Sequence, residues 1–174
     1  EPVEPVSFNR RFVMRDGSVR TWMNLQNPEV VRAAGPIDPE INLLMVRGSG
    51  QSRALLSNFA LHLDTVGGMK WSADYPYHLG KLVEAKLGPG SVSLFGTGCC
   101  GDINHANPAK RERNTADRIG QILGTAIVDE MYFIPAGAYA VSEILPPGND
   151  ITSVRMCIAT GTFAWPDAPG WTVK

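Results

Sequence analysis

The sequence predicts an α/β fold, a mixed sheet with a parallel crossover and flanking helices. Three observations carry that expectation. Tyr75, Leu79, Leu82, Val83 and Leu87 fall on one helical face. Short apolar runs at 53–62 and 91–95 flank this helix and read as buried strands. A helix of that length between two such strands suits a parallel connection, which is almost always right-handed.

The elements follow in order. "VSFNRRFVM" and "SVRTW" flank "RDG", and Asp16-Gly17 has hairpin-turn chemistry, so residues 6 to 22 read as a hairpin. Residues 24 to 40 hold three prolines and little periodicity, and are expected to form a long structured loop. "INLLMVR", the turn "GSGQS" and "ALLSNFALHL" read as a second hairpin. Its later strand is nearly continuous in apolar residues and is expected to be buried on both faces. Asp74 is placed to begin the helix 75–87, Pro76 is tolerable in its first turn, and "GPG" stops it. "SVSLF" supplies the next strand. Residues 114 to 132 read as a second helix, with Ile119, Ile122, Leu123, Ala126, Ile127 and Met131 inward and Asn114 or Thr115 as its cap. "AYAVSEIL" reads as a further strand, and the rest of the chain is rich in Pro and Gly.

Composition narrows the function classes. The chain has 174 residues, 44% hydrophobic and 19% charged, which suits one domain with a real core. Sixteen Lys and Arg against seventeen Asp and Glu give a net charge of -1, so no basic face for nucleic acid is expected. The longest apolar runs are too short to cross a bilayer. Three cysteines, with Cys99 and Cys100 adjacent, make no disulfide framework and leave the compartment open. All three, Cys157 included, are expected as unpaired thiols.

Polar residues gather after the two strands of the crossover. "HLDTVGG" leaves the first and "GTGCCGDINH" leaves the second. In parallel sheets, ligands collect outside the carboxyl ends of strands, so His62 and the segment Asp102–His105 are expected to face one crevice. His62 suits either of two roles. It can ligate zinc, with a nearby carboxylate or carbonyl fixing its tautomer, or it can be a buried imidazole bonded to backbone. Cys99 or Cys100 would make a nucleophile if His62 or His105 served as base, and would otherwise simply pack. Asp102 and Asn104 can also do no more than hold a turn. The glycine loop lacks the Walker lysine and the spaced G-x-G-x-x-G of phosphate-binding loops.

"NFALHLDTVGG", "SADYPYHLGKLVEAKLG" and "VSLFGTGCCGDINHANP", in that order and spacing, resemble the catalytic domain of neutral/alkaline (non-lysosomal) ceramidases, and bacterial ceramidase-like proteins in particular. "FNRR" is similar to the family's Asn-Arg motif. The best-matching region is 6–110, and residues 1–174 are expected to be a single, incomplete domain, part of a larger catalytic domain. The resemblance implies zinc-dependent hydrolysis of N-acyl-sphingosine or another N-acyl lipid amide. It places a zinc ligand on His62 and a substrate-binding role on Arg10. It also implies a secreted or periplasmic protein, with peripheral membrane contact in the intact molecule.

The family's nucleophile segment, approximately Gly-Asp-x-Ser-Pro, aligns with "GDINH", so its serine falls on Asn104 and its proline on His105. Asn104 cannot form an acyl-enzyme. The family's His-x-His segment and its later Glu and Tyr ligands have no counterpart here, and one histidine cannot hold zinc. Either the intact parent supplies the remaining ligands or this piece does not bind zinc by itself; in the parent, with no serine at 104, the resemblance implies a zinc-bound hydroxide as nucleophile. Asn104 and the amides of the loop Gly96, Gly98 and Gly101 would stabilise the oxyanion, while Asp102 or His105 would move protons. A second reading is a non-catalytic binding domain that kept the fold. A third is a cysteine hydrolase using Cys99 or Cys100.

Overall fold

Among the described residues, hydrogen bonding divides the strands into a central five-stranded sheet and two small ones. The computed structural model describes residues 5–47, 53–110, 112–131, 141–144 and 154–159, with 46–47, 141–144 and 154–159 described by backbone alone. The first part of the chain holds β1 (Phe8–Asn9), β2 (Arg11–Met14), β3 (Val19–Thr21), β4 (Val30–Ala33), β5 (Ile41–Arg47) and β6 (Arg53–Phe59). Then come α1 (Tyr75–Leu87), β7 (Val92–Thr97), β8 (Ile103–Asn104), α2 (Ala116–Glu130), β9 (Val141–Ile144) and β10 (Val154–Ala159). The large sheet has the order β7-β6-β5-β10-β9. The mixed α/β architecture anticipated from the sequence is present, including the parallel β6–α1–β7 crossover.

Both helices form where apolar spacing and capping agree. Asp74 caps α1 by accepting from the Tyr75 amide, with Pro76 in the first turn, and Gly88 closes the helix at φ 93°. Thr115, the second of the two cap candidates, accepts from the Arg118 amide and opens α2. Leu79 and Val83 of α1 meet Ile119, Leu123 and Ile127 of α2 and Leu55 and Phe59 of β6 in one buried cluster. Each such side chain contributes about 1.5–3 kcal/mol by leaving water.

Four sequence expectations need correction. The first hairpin is narrower than 6–22: β2 and β3 pair across the Asp16-Gly17 turn, while β1 leaves to pair with β8. Within the expected loop 24–40, Val30–Ala33 pairs with β2, because the proline-bounded stretch "EVVRA" keeps β-branched residues beside an open edge. β6 is not buried on both faces. Leu55, Ser57 and Phe59 face the helices, while Leu56 is 39% exposed on the side that neither helix covers. Strand β10, parallel to β5, was not anticipated in the Pro- and Gly-rich tail. The expected turn 48–52 lies outside the described residues, as does the sulfur of Cys157.

The two helices approach closely at Gly120 and Gly124. A Cβ on Gly120 would collide with the His78 Cβ and lie 2.8 Å from the Tyr75 carbonyl and 2.9 Å from the Leu79 nitrogen. Gly120→Ala is therefore expected to destabilise the fold by about 1–3 kcal/mol through overpacking, outweighing a helix-propensity gain of about 1 kcal/mol. Urea unfolding measures this, and an unchanged or raised midpoint would contradict the helix crossing described.

Candidate functional site

The site begins where two backbones touch. Because β6 and β7 run parallel, both chains leave the sheet at one edge. There the Gly98 amide donates to the Phe59 carbonyl at 2.9 Å. A Cβ on Gly98 would stand 3.1 Å from the Ala60 nitrogen and 3.2 Å from its Cα. Glycine allows this approach, so Gly98 serves the junction of the two exits. Gly96 pairs with Asn58 within the sheet, and its carbonyl accepts from Asn58 Nδ2 at 2.8 Å.

The two exits then meet through side chains. His62 Nδ1 lies 3.4 Å from Cys100 Sγ, and His62 Nε2 is buried without a hydrogen-bond partner. Two residues later, Asp64 Oδ2 accepts from Asn104 Nδ2 at 2.9 Å, and its Oδ1 lies 3.5 Å from His105 Nε2. That second contact has ion-pair distance but not hydrogen-bond geometry, so both ring nitrogens of the buried His105 lack a partner. The Asn104 side chain also accepts from the Ala106 amide at 2.9 Å. Behind this cluster, the Tyr75 hydroxyl donates to the Leu61 carbonyl at 2.8 Å, fixing the start of α1 against the segment that carries His62.

Asp74 secures the loop between them. At φ 53° it holds a left-handed backbone conformation that costs a non-glycine residue of order 1–3 kcal/mol. Its buried carboxylate accepts from the Thr65 and Val66 amides, the Thr65 hydroxyl and the Tyr75 amide, at 2.6–3.0 Å. Four charge-assisted bonds compensate the strain.

Asp102 points to a different neighbour. Its Oδ2 accepts from Asn9 Nδ2 at 2.7 Å, and its carbonyl accepts from the Arg10 amide at 2.7 Å. Asn9 also donates to the Pro36 carbonyl and accepts from the Arg11 amide, so its side chain ties β1, the 34–36 turn and the Asp102 loop together. Arg10 Nη2 donates to the Gly101 carbonyl at 2.8 Å, and its guanidinium lies 5.3 Å from the centre of the Trp22 ring. Arg10, Trp22 and Asn104 border a cleft of about 190 Å³.

His62, Asp102, Asn104, His105, Arg10 and Gly101 thus share one edge, in two groups. Asp64, Asn104 and His105 form the inner group, and His62 contacts Cys100; Arg10 and Asp102 form the outer group with Asn9. Asn9 and Trp22 were missed from the sequence. Asn9 had a signal, since it is the first residue of the "NRR" run; the bent backbone of Trp22, at φ 64°, had none.

Burial sets the protonation preferences. It holds the His105 imidazole below its ordinary value of 6.5, against an upward pull from Asp64. Burial also pushes the Cys100 thiol up, so its thiolate is scarce at neutral pH, and Cys99 is exposed and free. Among the described residues no three His, Cys, Asp or Glu side chains are grouped to hold a metal ion, so these residues do not fit a zinc site by themselves. No described helix is long and apolar enough to cross a membrane.

Compared with protein-family models, curated proteins and solved structures, the chain matches none.

The lowered His105 value has a thermodynamic consequence. As pH falls through 6.5 the unfolded chain takes up a proton at this position that the folded chain resists. Stability is therefore kept above that pH and lost as pH falls toward the folded value. Urea unfolding between about pH 7.5 and about pH 5.5 is expected to show that decline, and His105→Gln is expected to remove its share of the slope. A slope identical in the variant would contradict a resisted proton at His105.

Proposed function

We propose that this chain carries the catalytic loop of a hydrolase acting on linear amides, related in chemistry to the neutral ceramidases. The supporting observation is the position of Asp64, whose two carboxylate oxygens face Asn104 and His105 at 2.9 Å and 3.5 Å. A carboxylate oriented toward a neutral, buried imidazole is an arrangement suited to moving a proton. The negative charge of Asp64 would favour the protonated ring when His105 takes up a proton. Asn104 keeps one Nδ2 hydrogen beyond its bond to Asp64, which suits it to a developing oxyanion. Asp102, held by Asn9, would position the outer rim of the loop. The reaction adds water across the amide carbon–nitrogen bond, giving a carboxylic acid and an amine. Zinc belongs to this proposal only with ligands from beyond the described residues, so no step is assigned to it.

One observation favours the binding-domain reading. Asn104 engages both its oxygen and its nitrogen with protein partners, as a residue that shapes a crevice would. The cysteine-hydrolase reading is weakened by the raised Cys100 thiol.

The test is turnover of an N-acyl amide by the purified chain with zinc present, comparing wild type, Asp64→Asn and the double Cys99→Ala, Cys100→Ala variant. Hydrolysis is expected in the wild type. It should fall by about 100-fold or more in Asp64→Asn, the scale of a lost acid–base element, and change little in the cysteine variant. Circular dichroism checks that each variant remains folded. Saturable binding without hydrolysis in the wild type would favour the binding domain. A cysteine variant without turnover would favour the thiol nucleophile.

A further inference from the structure

The cleft beside Asn104 has an unusual rim. It lies between the segment after β3 and the segment after β8, and Asn9, Arg10, Trp22, Asn104 and Asn107 contribute to its lining. Among the described residues, Arg10 is the one charged residue in that lining; the rest are amides and apolar groups. Among the described residues no carboxylate lies within ion-pair distance of Arg10. Asp102 is close in the chain fold, but its Oδ2 faces Asn9, not the guanidinium.

The guanidinium is held from two sides. The Gly101 carbonyl takes one of its five N–H donors at 2.8 Å, and the indole of Trp22 stands 5.3 Å away. The Trp22 backbone pays for that position. A bulky residue at φ 64° is an outlier, costing of order 1–3 kcal/mol. Core packing does not explain the strain, since Trp22 is 53% exposed. The Trp22 amide donates to the Arg10 carbonyl at 2.9 Å, so ring and guanidinium are fixed to each other by backbone and side chain alike. A fixed, planar cation at a cleft, with no counter-ion among the described residues, is the arrangement that binds an anion in forked geometry.

We propose that this cleft binds a carboxylate through Arg10. Resting on the amide-hydrolase reading, it follows that the preferred substrate is an N-acyl amino acid or similar amide whose amine part carries a carboxylate. One guanidinium among neutral amides balances one negative charge, which suits a carboxylate better than a doubly charged phosphate. The cleft volume is about 190 Å³. That accommodates a small head group and leaves a long acyl chain outside.

The binding arm of the test does not depend on catalysis. The indole N–H signal of Trp22, assigned by its loss in Trp22→Phe, is followed by NMR while the whole chain is titrated with N-acetylglycine. N-acetylethanolamine, a neutral analogue of the same length, and inorganic phosphate are titrated at matched ionic strength. A saturable shift is expected with N-acetylglycine and none with the ethanolamide. Arg10→Gln should weaken binding by about tenfold or more, the scale of a charge-assisted bond, and Arg10→Lys should weaken it less. If Arg10→Gln proves unfolded, the comparison of charged with neutral ligand on the wild type decides alone. Equal shifts with the neutral analogue, or no saturation, would overturn the proposal; tighter binding of phosphate would overturn the choice of carboxylate. The hydrolysis arm compares kcat/KM for N-lauroylglycine and N-lauroylethanolamine. A preference of about tenfold for the former is expected. Turnover without that preference would sink the substrate class alone, whereas carboxylate binding with no turnover of either would sink the hydrolase and leave the anion site standing.

Discussion

The contact between Gly98 and Ala60 is the constraint on which the candidate site depends. Two parallel strands can leave a sheet side by side and still diverge at once. Here the Gly98 amide bonds back to the Phe59 carbonyl, and the missing Cβ lets the two backbones stay in register one step beyond the sheet. From that step, His62 and Asp64 follow from one chain and Cys100 to His105 from the other. The short β1–β8 pairing closes the far side by setting Phe8 opposite Asn104 and Asn9 opposite Ile103. Asn104 therefore sits in a strand pair, bonded to an exit loop, rather than on a free loop tip. Such support from regular structure gives a site the positional accuracy that proton transfer and charge stabilisation require.

Three polar devices then hold the two exits against one another. Asp74 anchors the loop after His62 to the start of α1, Tyr75 joins α1 to Leu61, and Asn9 joins β1 to Asp102. Each is buried or partly buried, and the bonds to the Asp74 and Asp102 carboxylates are charge-assisted. Strain accompanies two of the special positions on this edge, at Asp74 and Trp22. The first is offset by four bonds to one carboxylate. The second has no comparable hydrogen-bond set, and its ring lies beside Arg10 at the cleft, which is why a ligand-facing role follows for Trp22 and not for Asp74.

Local chemistry made much of the fold legible. The α1 boundaries, its Asp74 cap and the Asp16-Gly17 turn depend on nearby residues, and the sequence reading placed them as observed. The crossover followed from the alternation of periods, which again is local. What failed was long-range. Pairing of Phe8 with Asn104 joins segments nearly a hundred residues apart, and no periodicity in either announces the other. The burial of β6 was misread because Leu55, Leu56 and Phe59 are all apolar, whereas which face is covered depends on where the helices lie. Within the site, the gathering of His62, Asp102, Asn104 and His105 at one edge followed from parallel-strand logic. The division into an Asp64-centred group and an Asn9–Asp102 group was not readable, since it depends on side-chain directions set by β1. The strained backbone of Trp22 also left no trace in residue type.

The most direct measurement is the protonation equilibrium of His105, followed by NMR of its ring nuclei against pH in the wild type and in Asp64→Asn. Burial and the adjoining carboxylate act on this ring in opposite directions. The expected result is titration below 6.5 in the wild type and lower still in Asp64→Asn, where the stabilising negative charge is gone. Titration at or above 6.5, or a value unmoved by the substitution, would contradict the assembly of the two exits around Asp64.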